Sequence, residues 1–156
     1  MTDPQQQEFG IHTIYLKDVS FEAPNSPEIF QNQFQTNIEM NLNVETNKLA
    51  ENIFEVVLSI TVTAKAKTDE NAEFKAEDKT AFLVELQQAG IFSLKGFDED
   101  SLGPMLGIYC PNVLFPYARE ATSSLVAKGG FPQLILEPVN FESIYAQHIN
   151  NQNPED

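Results

Sequence analysis

The sequence predicts an α+β fold, a four-stranded antiparallel sheet with two helices on one side. Three observations predict it. Two segments alternate cleanly with a period of two, the mark of strands with one buried and one solvated face. A later segment, Asn112 to Lys128, places Leu114, Tyr117, Ala118, Ala121, Leu125 and Val126 at helical spacing. All strand-like segments precede the helical ones, an order that stacks helices on one side of an antiparallel sheet.

Residues 9–22, FGIHTIYLKDVSFE, read as a first strand whose alternation is imperfect. Residues 23–30, APNSPEIF, hold two prolines and an Asn-Ser pair, so they read as an extended or turning connection. In TNIEMNLNV, Ile38, Met40, Leu42 and Val44 share one face, with Asn37, Glu39, Asn41 and Asn43 on the other. Residues 45–52, ETNKLAEN, read as the polar connection to the next strand. There Phe54, Val56, Leu58, Ile60 and Val62 oppose Glu55, Ser59, Thr61 and Thr63.

Residues 65–79 are charged, with both signs and almost no apolar content, and read as a solvated loop or a protruding hairpin. Residues 80–96 read as a fourth strand with a bulge or bend at Gly90. FDEDSLGPML (97–106) is an acidic turn leading toward helix. Gly129-Gly130 stops the long helix, and Asn140 caps a last helix carrying Phe141, Ile144, Tyr145, His148 and Ile149. The chain thus divides into an N-terminal tail (1–8), one domain (9–150) and a C-terminal tail (151–156).

The net charge is −14, from 9 basic and 23 acidic residues. This argues against nucleic acid, whose phosphates demand Lys and Arg, and against anionic membrane surfaces. It suits a basic protein partner. A single cysteine forms no intramolecular disulfide. The polar, acidic N-terminus has no apolar leader pattern, and no run approaches a membrane span. The expected compartment is the cytoplasm.

Catalytic constellations are missing. Cys110 has no sequence signature linking it to His12 or His148 and reads as a small packed residue near a helix start. Two histidines and one cysteine offer no metal-ligand spacing, and Asp98-Glu99-Asp100 lacks the EF-hand pattern. No Gly-rich phosphate loop is present. Glu39, Glu55 and Glu85 read as solvated carboxylates on polar strand faces. The expectation is a protein that is not an enzyme and uses no cofactor and no metal. Phe34, Phe54, Phe82, Phe92, Phe97, Phe115, Phe131 and Phe141 give more apolar surface than two helices comfortably cover, which suggests other subunits or a bound peptide.

Five strings carry a resemblance: IYLKDVSFEAPNSPEIF, FEVVLSITVTA, AFLVELQQAGIFSL, YCPNVLFPYARE and GGFPQLILEPVNF. In this order, over about residues 9–150, they resemble the bacterial export chaperone family SecB. The resemblance implies a tetramer, built as a dimer of dimers, that holds unfolded precursor proteins and passes them to the motor ATPase SecA without using ATP. It implies a SecA-facing patch at Asp18, Glu22, Leu83 and Glu85. It implies a client groove that includes Phe34, Met40, Leu42, Val84 and Leu86, with Phe141 and Ile144 of the last helix nearby. A chaperone of this type dedicated to another partner, such as an unstable antitoxin, is the alternative. The 65–79 stretch is longer than the family's usual turn. Phe34 stands where tryptophan is common, and Met105 and Val84 stand where cysteines are sometimes found.

Overall fold

The computed structural model describes residues 6–67, 73 and 78–152. Most of the charged stretch 65–79, and the outer parts of both expected tails, lie outside the described residues. Four strands form one antiparallel sheet: β1 (Glu8–Glu22), β2 (Gln35–Ala50), β3 (Ile53–Lys67) and β4 (Lys79–Lys95), in the spatial order β1-β4-β3-β2. After β4 the chain forms α1 (Glu99–Pro104), a π-helical turn (Met105–Tyr109) and α2 (Cys110–Lys128), then crosses without regular structure to α3 (Phe141–Gln152). β1 therefore opens within the expected N-terminal tail, and α3 runs two residues into the expected C-terminal tail.

The alternation of β3 and β4 translates directly into burial. Val56, Leu58, Ile60 and Val62 on β3, and Phe82, Val84, Leu86 and Phe92 on β4, form the core with Leu114, Ala118 and Val126 of α2. β3 and β4 are the two central strands, so their inward faces are covered whole. β1 and β2 are edge strands, and side chains on the same face there are covered only in part. Ile11, Leu16 and Val19 of β1, and Ile38 and Met40 of β2, remain exposed.

The imperfect alternation of β1 has a structural cause. Its pairing with β4 shifts register between Ile11 and Thr13 and again between Leu16 and Asp18. His12 and Lys17 are thus extra residues in β-bulges, and each inverts the side-chain phase of the residues after it. Phe9 and Ile11 point to the helix side, then Ile14 and Leu16, then Val19 and Phe21.

Three expectations are corrected. Residues 45–52 are not a loop: β2 continues to Ala50, and the turn is only Glu51 and Asn52, with Asn52 in the left-handed region at φ 63°. Glu45, Thr46, Asn47 and Lys48 make this end of the edge strand polar on both faces, so it reads like a connection. Gly90 is not a bulge. It pairs regularly with Val56 and Ile14, and a β-carbon there would press on the Phe92 ring and on Leu114. The glycine serves the close approach of α2 to the sheet.

The long helix also starts earlier than expected. Asp98 caps α1, accepting the Ser101 N–H at 2.8 Å, so this carboxylate is committed to a helix end. Cys110 and Pro111 therefore lie in mid-helix. Proline at 111 donates no N–H, and its ring crowds the carbonyl one turn earlier. The π-turn just before it, where the Cys110 N–H reaches the Met105 carbonyl, widens the helix at that point. At the other end, Gly130 takes φ 90°, with its N–H on the Ala127 carbonyl and the Phe131 N–H on that of Val126, which is a Schellman termination. Asn140 caps α3 through the Ser143 N–H at 3.1 Å, as the sequence predicts.

Candidate functional site

The sheet has one face under the helices and one face open. On the open face, Glu22 pairs with Leu83, Ser20 with Glu85 and Asp18 with Gln87. Asp18, Glu22, Leu83 and Glu85 therefore share that face, on two adjacent strands. The three carboxylates are exposed, and Leu83, opposite Glu22 at one end of the cluster, is half-buried. The Lys17 bulge is what brings them together. With a regular strand after Leu16, Asp18 would oppose Leu86 and turn toward the core.

Beside this acidic cluster, on the same face, lies a network that the sequence reading missed. Glu55 is 7 % exposed, not the solvated strand carboxylate expected. The Tyr15 hydroxyl donates to its Oε2 at 2.5 Å, Lys17 Nζ donates to both carboxylate oxygens at 3.0 and 3.1 Å, and Asn47 Nδ2 donates to Oε1 at 3.0 Å. Donors from β1 and β2 converge on β3. Tyr15 reaches across β4 because its register partner there is Ala89, whose methyl leaves room. The hydrogen bond from Tyr15, helped by Asn47 and Lys17, holds the Glu55 carboxyl below its ordinary range against the opposing effect of burial. Burial first, and then the hydrogen bond to Glu55, push the Tyr15 hydroxyl up to about 12. The one sequence signal for this network was the broken alternation of β1.

The helix-side face of β2 carries Thr36, Ile38, Met40, Leu42, Val44 and Thr46, spanning roughly 30 Å at strand rise. Three cavities flank it. One of about 570 Å³ is lined by Phe30, Phe34, Thr36, Gly130 and Pro132. A smaller one of about 120 Å³ lies between Ile38, Phe131 and Leu134. The third, about 380 Å³, is walled by Leu42, Val44, Leu106, Ile144, Tyr145 and His148. Phe34, Leu42 and Ile144 of the expected groove line these cavities, with Phe30, Ile38, Val44 and Leu134; Met40 lines none of them and lies exposed on the same strand face between Ile38 and Leu42.

Val84, Leu86 and Phe141 line none of these cavities either. They are 0 %, 2 % and 1 % exposed and belong to the core. Alternation tells which face a strand residue uses, but not whether a helix already covers that face.

Cys110 is fully buried against the sheet, and burial pushes its thiol up to about 12, away from nucleophilic use at neutral pH. Arg119 places its guanidinium 5.8 Å from the Phe115 ring centroid. Among the described residues no group of His, Cys, Asp and Glu is arranged to hold a metal ion, and no helix is long and apolar enough to cross a membrane.

An edge strand lined with apolar cavities, opposite an uncovered acidic sheet face, defines a protein built to bind other chains. Comparison with known proteins supplies the family. The SecB family profile, described as preprotein translocase subunit SecB, matches residues 2–152. Relatives named protein-export protein SecB include that of Hydrogenovibrio crunogenus, 54% identical over 148 residues (95% of this chain, 93% of the relative). That of Methylococcus capsulatus is 49% identical over 152 residues (96% and 92%). The chain belongs to the SecB family of protein-export chaperones. Among solved structures, a Mycobacterium tuberculosis SecB-like chaperone in complex with a ChAD peptide from an antitoxin has the same fold, with a TM-score of 0.60 at 18% identity over 85% of this chain and 91% of that one.

Proposed function

We propose that this chain is an ATP-independent holdase of the cytoplasm, without catalytic chemistry of its own, that binds unfolded precursor proteins and delivers them to SecA. The observation that carries the reading is the apolar face of β2 with its flanking cavities. Ile38, Met40, Leu42 and Val44 offer apolar side chains over about 20 Å on an edge strand. Apolar contact is non-directional, at about 25 cal/mol per Å² buried, and backbone pairing is sequence-blind, so clients need no shared motif. The client contacts assigned here are Phe34, Met40, Leu42 and Ile144, joined by Ile38.

The acidic face is the proposed SecA contact, through Asp18, Glu22, Leu83 and Glu85. Exposed carboxylates on a flat face favour fast, salt-sensitive capture of a basic partner. Assembly into a tetramer is part of the same reading. It is supported by the apolar side chains left open on β1 and by Tyr117 and Ile135, which are 52 % and 65 % exposed.

The test is light scattering from an aggregating unfolded protein, with and without the chain. Suppression at stoichiometric amounts without ATP is expected, and its failure would sink the reading. Co-purified secretory precursors, rather than one antitoxin, would separate export from the dedicated-partner alternative.

A further inference from the structure

We propose that Glu55 keeps Lys17 off the acidic face, so that Asp18, Glu22 and Glu85 stay open to a basic partner. This rests on the reading of that face as the SecA contact. Lys17 is the only lysine or arginine of β1. It is the bulged residue directly before Asp18, and the bulge sends both side chains to the same face. A lysine placed there has two sets of acceptors within reach of its stem, the acidic cluster and Glu55.

The network decides between them. Tyr15 and Asn47 hold the Glu55 carboxylate in place, so it is an ordered acceptor that takes Lys17 through both oxygens. Glu55 is buried, whereas Asp18, Glu22 and Glu85 are exposed and screened, so the pair with Glu55 is the stronger one. Lys17 keeps its stem half-exposed, 44% by side chain, while its charge is neutralised at Glu55. Without that carboxylate the ammonium swings to Asp18. As a tethered cation it then competes with any partner lysine or arginine at a high effective concentration. Glu55 and Lys17 are therefore positioning residues: neither needs to touch the partner.

The experiment measures affinity for purified SecA by titration calorimetry at low salt, on the full assembled chain. Glu55→Gln should weaken binding roughly two- to five-fold, the range of an exposed ion pair, and the loss should shrink at high salt. Adding Lys17→Met to Glu55→Gln should restore parental affinity, because the competing cation is gone. A double variant as weak as Glu55→Gln alone would mean that Glu55 only supports the sheet, and parental affinity in Glu55→Gln would equally overturn the proposal. If Glu55→Gln does not fold, Lys17→Met alone decides: binding within about two-fold of the parent is expected, and a gain beyond about five-fold would show that Lys17 already damps the patch. Asp18→Ala with Glu22→Ala is the control for the site. Parental affinity there overturns the reading of the face and this inference with it. Loss there, with no effect of Glu55→Gln, overturns this inference alone.

Discussion

Tyr145 of α3 packs against the bare backbone of Gly107, so closely that a β-carbon at 107 would collide with its ring. The tyrosine hydroxyl meets Gly103 in the same way, one turn earlier. Two glycines at i and i+4 cut a notch in the helix, and one aromatic side chain of α3 fills it. Gly107→Ala is expected to destabilise the fold by about 1–3 kcal/mol through overpacking. The effect should fall on α3 first, read as faster amide exchange over residues 141–152. Tyr145→Ala combined with Gly107→Ala should be less than additive, since the ring that clashes is gone.

The Tyr15–Glu55 bond makes stability depend on pH at both ends of the scale. The Glu55 carboxyl titrates below its ordinary value in the folded chain, so its contribution is present above the unfolded value and is lost as pH falls through the folded one. Tyr15 is the reverse. Its hydroxyl is pushed up to about 12, so its contribution is full below the ordinary value of 10.0 and is lost as pH rises toward 12. Tyr15→Phe should destabilise the chain at neutral pH by roughly 1.5–3 kcal/mol, the value of a hydrogen bond to a charged group. It should also flatten the alkaline limb of a urea-denaturation series. An unchanged alkaline limb would contradict the assignment.

Gly130 ends α2 in a left-handed conformation with the Phe30 ring close by. Gly130→Ala is expected to lower stability by about 1 kcal/mol, and Gly130→Asn by less, because asparagine tolerates this region better. Thermal melts of the two variants side by side would show that order.

Cys110 should resist modification. With the thiol buried and pushed up to about 12, a neutral disulfide reagent at pH 8 is expected to react only at the rate of unfolding. Urea should accelerate the reaction in step with the loss of helix signal. Fast labelling of the native chain would be inconsistent with a packed cysteine.

Met40→Asp and Ile38→Asp place a charge on the apolar face of β2 at positions that are each 37 % exposed and carry little of the core. Client holding should drop several-fold in light scattering, with little change in melting temperature and none in SecA affinity. Equal loss of SecA binding would mean that the two faces are not separate.

How far the sequence revealed these features depended on how completely each strand is covered. β3 and β4 read clearly, because both strands lie between neighbours under a helix and every inward residue is apolar. β2 read only as far as Val44, since the rest of this edge strand has no apolar face to show. The start of the long helix was hidden by Gly103, Pro104, Gly107 and Pro111, residues that ordinarily break helices and that the π-turn and the Tyr145 notch accommodate. The four acidic-face residues were legible only through a family likeness. Their sharing one face depends on a bulge, which no count of alternation along KDVSFE reveals. Glu55 looked like any polar strand residue, because its burial is made by Tyr15, distant in sequence and two strands away.

The paired bulges of β1 make this strand behave like a message with two frameshifts. Residues 13–16 are written in one frame, and the flanking residues in the other. Removing His12 or Lys17 would leave every neighbour in frame, so a relative one residue shorter at either point can keep the same inward and outward sets. A one-residue gain or loss elsewhere in the strand would scramble both faces at once, burying the carboxylates and baring Phe21. Length changes in this strand are therefore expected to be confined to those two positions, or to come in compensating pairs.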